Sequence, residues 1–101
     1  MVYYNPMEQF EIPILTVTQF NETVNQVLAD MRVWVKGEIS GYKVSQNKWV
    51  TFDLKDEGSK VNVFMTIYQV DQVLEDGMEV KVFGNPRIYV PYGKYSFSGA
   101  G

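Results

Sequence analysis

The chain has 101 residues, of which 46% are hydrophobic, 15% aromatic and 21% charged, and this size allows one small domain. It contains neither cysteine nor histidine, which excludes disulfide scaffolds, iron–sulfur clusters, thiol nucleophiles and the usual ligands of zinc. Nine basic and twelve acidic side chains give a net charge of −3, which by itself argues against an anionic ligand.

The charges are unevenly distributed along the chain. Residues 1–30 carry four acids and no base, residues 31–60 carry six bases and four acids, and residues 61–101 carry three bases and four acids. Any anion-binding face should therefore be built from the middle of the chain. No apolar run is long enough to span a membrane, and the first residues do not resemble a signal peptide, so we expect a cytoplasmic protein without membrane contact.

The hydrophobic pattern predicts one helix followed by short strands. Residues 1–14 lack a period and are interpreted as an extended arm. Thr18 is a good N-cap, and Phe20, Val24, Val27, Leu28 and Met31 follow as the stripe of one helical face, which predicts a helix over residues 18–30. Alternation then predicts strands at residues 33–40, 49–55, 61–66 and 78–84, and a last hairpin with arms 87–90 and 95–97 after a turn at residues 85–86.

Five strands after one helix, with a short helical segment expected within residues 68–75, indicate an all-β domain: a five-stranded Greek-key barrel of the OB type over residues 15–101. An SH3-like barrel or an open meander is the alternative. Gly37 interrupts the first strand, where the bend of an OB barrel would fall.

Bases and aromatics alternate in the segments that form the binding surface of such a barrel. Cations can contact phosphates, and flat rings can stack on unpaired bases. The same residue types also serve as half-buried packing residues and as protectors of edge strands. Asp53, Asp56 and Glu57 are close in sequence, but alternation separates them, so we expect no metal site, no cofactor and no catalytic residue.

Three segments resemble a known family. Residues 15–21 entering the helix, residues 33–43 with Trp34-Val35-Lys36-Gly37-Glu38, and residues 50–57 are similar to the N-terminal OB domain of the exodeoxyribonuclease VII large subunit, and residues 75–84 and 89–95 continue the match. The resemblance implies a bacterial nuclease that degrades single-stranded DNA from its ends, with several copies of a small subunit as partners. It also implies that this domain grips the DNA while a catalytic domain, which would follow, hydrolyses it.

This chain departs from the family pattern at three places that matter for binding. Trp49 stands near the position of a family histidine, the arginine-rich segment after the third strand is absent, and Tyr92 stands where the last hairpin of the family has an arginine. We therefore predict weak binding of single-stranded DNA and no hydrolysis by this chain alone. The predicted contact residues are Lys36, Tyr42, Lys43, Lys48, Trp49, Lys55, Arg87, Tyr92 and Lys94.

Two other functions remain open at this point. The domain could be a module for protein–protein interaction, with exposed aromatics and the acidic helix as its interface. It could also be an RNA-binding OB domain of the tRNA anticodon type.

Overall fold

The computed structural model describes residues 12–99. Most of the predicted arm, residues 1–11, lies outside this range. The elements in chain order are helix α1 (Val17–Leu28) and strands β1 (Val33–Ser45), β2 (Trp49–Lys55), β3 (Lys60–Thr66), β4 (Glu79–Tyr89) and β5 (Lys94–Gly99).

The five strands close into a barrel in the order β1-β2-β3-β5-β4. All neighbouring pairs are antiparallel except β3 and β5, which run parallel. The closed ring confirms the predicted five-stranded barrel and excludes the open meander. Alternate residues of each strand point inward, as predicted, and form the core: Ile39, Val50, Phe52, Leu54, Val63, Met65, Val82 and Phe97.

Strand β1 is longer than predicted and pairs with two partners. Residues 33–38 pair with β4, and residues 38–45 pair with β2. The register breaks between Ser40 and Lys43, at Gly41, which has a φ of 67°. The predicted end of the strand at Gly41 is therefore a bulge within it, and the irregularity lies at Gly41 rather than at Gly37.

Helix α1 begins one residue and ends two residues earlier than the predicted range of 18–30. Thr16, not Thr18, is the N-cap: its hydroxyl accepts from the Gln19 backbone N–H at 3.1 Å, while the Gln19 side chain accepts from the Thr16 N–H at 2.9 Å. This reciprocal capping box fixes the helix start. No helix among residues 12–99 is long and apolar enough to cross a membrane.

One connection also differs from the prediction. Residues 85–86 are not a turn, because β4 runs through Asn85 and Pro86 to Tyr89. Pairing with β1 ends at Gly84, so the edge of β4 beyond it is free of a strand and tolerates a proline without a backbone N–H. Between β3 and β4, Ile67–Gln69 form a single 3-10 turn, which lies at the start of residues 68–75, where a short helix or a single turn is predicted.

Candidate nucleic-acid interface

A groove runs across the outer face of β2, β3, β5 and the end of β4. Its volume is about 530 Å³. Three aromatic residues line it, namely Trp49, Phe64 and Tyr89, together with two cations, Arg87 and Lys94. The remaining lining residues are small and polar: Thr51, Asn62, Ser96 and Ser98. We call this surface the aromatic groove.

One end of the aromatic groove is built by the turn between β1 and β2. Strand alternation buries Val50 and turns Trp49 outward. The Trp49 ring stacks on Phe64 of β3 with centroids 5.1 Å apart and an interplanar angle of 28°. The Lys48 ammonium lies 4.7 Å from the centroid of the Trp49 ring, so a flat surface and a cation occur together here.

The other end is built by the hairpin between β4 and β5. The Tyr89 and Tyr92 rings are 5.4 Å apart and tilted by 43°. The tight turn is closed by a hydrogen bond from the Gly93 N–H to the Tyr89 carbonyl at 2.8 Å, with Gly93 at a φ of 64°. Lys94 pairs with Tyr89 across the hairpin, which places its side chain on the groove side.

The charged side chains that line the aromatic groove are basic, although the chain as a whole has a net charge of −3. Arg87 and Lys94 are its only charged lining residues among those described. Asp53, further along β2, lies 3.9 Å from the Lys60 ammonium. No group of three or more metal-ligating side chains occurs within residues 12–99.

Residues 15–100 match the family of OB-fold nucleic acid binding domains. The chain belongs to this family. The OB domain is also 38% identical over 90 residues to the exodeoxyribonuclease 7 large subunit of Lactobacillus helveticus, a match covering 82% of this chain and 20% of that protein. It is 41% identical over 91 residues to the same subunit of Clostridium botulinum strain Loch Maree, covering 83% of this chain and 23% of that protein. The OB domain thus spans about a fifth of the length of these relatives.

Six of the nine predicted contact residues lie in or beside the aromatic groove of the OB domain. Trp49, Arg87 and Lys94 line it. Lys43 pairs with Thr51 and shares its face, while Lys48 and Tyr92 contact groove aromatics. The structure brings these six side chains together from both predicted binding loops and the strands between them.

The other three predicted contact residues lie elsewhere. Tyr42 follows the β1 bulge and packs half-buried against the core, with its ring 6.2 Å from Phe52. Lys36 pairs with Lys81 on the outer face of β1 and β4. Lys55 is 3.7 Å from the Glu38 carboxylate. Strand wrapping accounts for the two lysines, because outward-facing positions of a closed barrel point in different directions.

Sequence reasoning missed several lining residues, of which Phe64 is the most informative. It lies between the inward-facing Val63 and Met65. The strict alternation of β3 was a signal that its one aromatic faces outward. Tyr89 lies in an expected binding segment but is not among the predicted contact residues, and Asn62 and the serines carried no signal, because small polar residues on an outer face are ordinary.

Proposed function

We propose that this OB domain binds single-stranded DNA in the aromatic groove, as the strand-gripping part of a nuclease subunit of the exodeoxyribonuclease VII type. The observation that carries the proposal is the stacked Trp49–Phe64 pair, in a groove lined by Arg87 and Lys94 and by no described carboxylate. Unpaired bases stack on such rings at roughly 1–3 kcal/mol per base, and cations contact the phosphates.

The groove chemistry favours a single strand over a duplex. Its aromatic faces are useful only to bases that are not already stacked within a double helix. Thr51, Asn62 and Ser96 add hydroxyl and amide groups that can bond to base edges or sugars. DNA as the natural substrate is supported by the name of the relatives.

Binding should be weak and sensitive to salt. Four cations lie in or beside the groove: Lys43, Lys48, Arg87 and Lys94. Each phosphate neutralised on a single strand contributes about 0.7 to the slope of log affinity against log salt, so the full slope should approach roughly −3. The net charge of −3 opposes binding at longer range.

We assign strand gripping, and not hydrolysis, to this domain. Its groove lining offers neither a carboxylate nor an imidazole to activate water. Hydrolysis and contacts with a small subunit are then properties of other parts of proteins like the relatives, which are four to five times longer than the matched region.

The test is a titration of the chain with fluorescently labelled oligothymidylate, followed by anisotropy. Trp49→Ala should weaken binding by roughly 1–3 kcal/mol, whereas Tyr68→Ala, which changes an aromatic that is 87% exposed and lies outside the groove lining, should not. Lys48→Ala should reduce the salt slope by about 0.7, and Lys55→Ala, whose ammonium faces Glu38, should leave it unchanged.

Each alternative function has its own outcome in this experiment. Tighter binding of oligouridylate than of oligothymidylate at equal salt would favour an RNA ligand. No binding of either at low salt, together with a lowered melting temperature of Trp49→Ala, would make Trp49 a packing residue and refute the proposal.

A further inference from the structure

A second pair of aromatic rings lies on the outer face of the barrel, away from the aromatic groove. Trp34 of β1 and Phe83 of β4 are direct cross-strand partners, with ring centroids 5.3 Å apart at 53°. The Lys81 ammonium lies 4.8 Å from the Trp34 centroid, and the Arg32 guanidinium 5.4 Å from the Phe83 centroid. We call these four residues the Trp34–Phe83 cluster.

The chemistry of the cluster repeats that of the groove. In both places a tryptophan contacts a phenylalanine of a neighbouring strand, and a lysine lies less than 5 Å from the indole centroid. A cross-strand aromatic pair by itself only stabilises the sheet by roughly 0.2–1 kcal/mol. Trp34, however, leaves 60% of its surface exposed, so most of its stacking area is free.

The outer face of β4 connects the two places. Lys81, Phe83, Asn85, Arg87 and Tyr89 alternate with inward-facing residues and share this face. Arg87 and Tyr89 already line the aromatic groove. Phe83 lies four residues before Arg87, which is about 13 Å along a strand. None of the five side chains on this path is acidic.

The charges around the cluster determine where phosphates can lie. Lys36 faces the same side as Lys81 and adds a third cation to Arg32 and Lys81. The next cross-strand pair on this face beyond Lys36 and Lys81 is Glu38 and Glu79, and the exposed carboxylates of Asp71 and Glu79 line a cavity of about 460 Å³ together with both rings. Phosphates are therefore favoured on the Arg32 side of the rings, from which β4 continues toward Arg87.

We propose that the Trp34–Phe83 cluster is a second base-stacking subsite, occupied by the same single strand that fills the aromatic groove and continues along the outer face of β4. This inference rests on the proposed function. It gives a role to Arg32 and Lys81, which lie outside the groove, and it extends the ligand beyond the face formed by β2, β3 and β5.

The chain has two tryptophans, one in each place, so fluorescence can report on each separately. Trp34→Phe leaves Trp49 as the only reporter, and Trp49→Phe leaves Trp34. Both variants are titrated with oligothymidylates of about 4 and about 16 nucleotides, the two ends of the range for OB folds. We expect both lengths to quench Trp49, and only the longer one to quench Trp34.

Affinity measurements provide the second readout. Trp34→Ala should weaken binding of the longer oligonucleotide roughly 5- to 140-fold and leave the shorter one unchanged. Tyr68→Ala is the matched control and should change neither. If Trp34→Ala does not fold, quenching in the Trp49→Phe protein still decides the question.

The possible outcomes separate the two proposals. Quenching of Trp49 without quenching of Trp34 by the longer oligonucleotide overturns the second subsite and leaves the proposed function intact. Equal quenching of Trp34 by both lengths overturns the continuous path. Absence of Trp49 quenching at low salt refutes the proposed function itself.

Discussion

Inside the barrel the strands meet through apolar side chains such as Ile39, Val50 and Phe52, whereas α1 bonds through the amides of Asn25 and Asn21 to the end of β4 and to the residue just after it. Asn25 donates to the Ile88 carbonyl at 2.8 Å and accepts from the Ile88 N–H at 2.7 Å. It therefore bonds to β4 as a neighbouring strand would, along the edge that β1 leaves free.

The two regions are therefore stabilised by different kinds of interaction. The barrel interior must be filled without voids, so its stability depends on shape. The edge of β4 must have its backbone groups satisfied, so its stability depends on hydrogen-bond partners. Of the apolar stripe of α1, Val24 and Leu28 are half-buried beside these amides, whereas Phe20 remains 56% and Val27 69% exposed. Substitutions in the two regions should consequently differ in kind and in size.

The largest effect is expected at Gly84, where the backbone of β5 leaves no room for a side chain on β4. A Cβ there would meet the Ser98 carbonyl oxygen and lie 3.1 Å from the Gly99 Cα. Gly84→Val should cost more than about 3 kcal/mol or prevent folding, because both obstacles are backbone. Urea unfolding measures the loss. Gly58→Ala is the control, because its Cβ would meet only Asp56 Oδ1 at 3.9 Å; a similar loss there would contradict the explanation.

Gly37 is the second position at which the barrel should reject a side chain. A Cβ would lie 2.7 Å from the Lys55 carbonyl oxygen and 3.1 Å from Leu54 Cγ. Gly37→Val should cost about 2–3 kcal/mol, because β2 would have to shift. The reason is this close approach of β2, and not a left-handed backbone. A thermal melt unchanged by the substitution would show that the β1–β2 contact is looser than described.

Asn25→Ala tests the polar contact of the helix. The change removes two hydrogen bonds to the Ile88 backbone, but water can reach the half-buried edge, so we expect a loss of about 1–2 kcal/mol. Hydrogen exchange at the Ile88 amide should accelerate. Gln26→Ala, at the next and exposed helix position, should change neither quantity. Unchanged exchange at Ile88 after Asn25→Ala would mean that the edge is protected in another way.

Sequence reasoning is reliable for whether a strand residue faces the inside or the outside of the barrel. Strand alternation separates inside from outside, and Val50, Phe52 and Val63 follow it into the core. It does not say which part of a curved outer surface a residue reaches, which is why Lys36 and Lys55 were grouped with a groove they do not line. Among the predicted contact residues, only Trp49, Arg87 and Lys94, which lie in the expected loops and strands, line the groove.

The helix shows a second limit of sequence reasoning. The stripe from Phe20 to Met31 correctly predicts a helix, but periodicity carries no information about what the helix packs against. Asn21 and Asn25 bond to partners that lie 69 and 63 residues further along the chain, respectively. Which side of α1 is covered depends on the free edge of β4, a feature that exists only after the barrel has closed.

The smallest effect is expected at Val27, on the exposed stripe of α1. Val27→Gln replaces a β-branched residue by a better helix former, and the removed side chain has little buried surface to lose. The free energy of unfolding should therefore change by less than about 0.5 kcal/mol. Urea unfolding of Val27→Gln and of Asn25→Ala under identical conditions compares the two losses of stability. A larger loss for Val27→Gln than for Asn25→Ala would contradict the prediction, because it would mean that the apolar stripe, and not the amides, holds the helix.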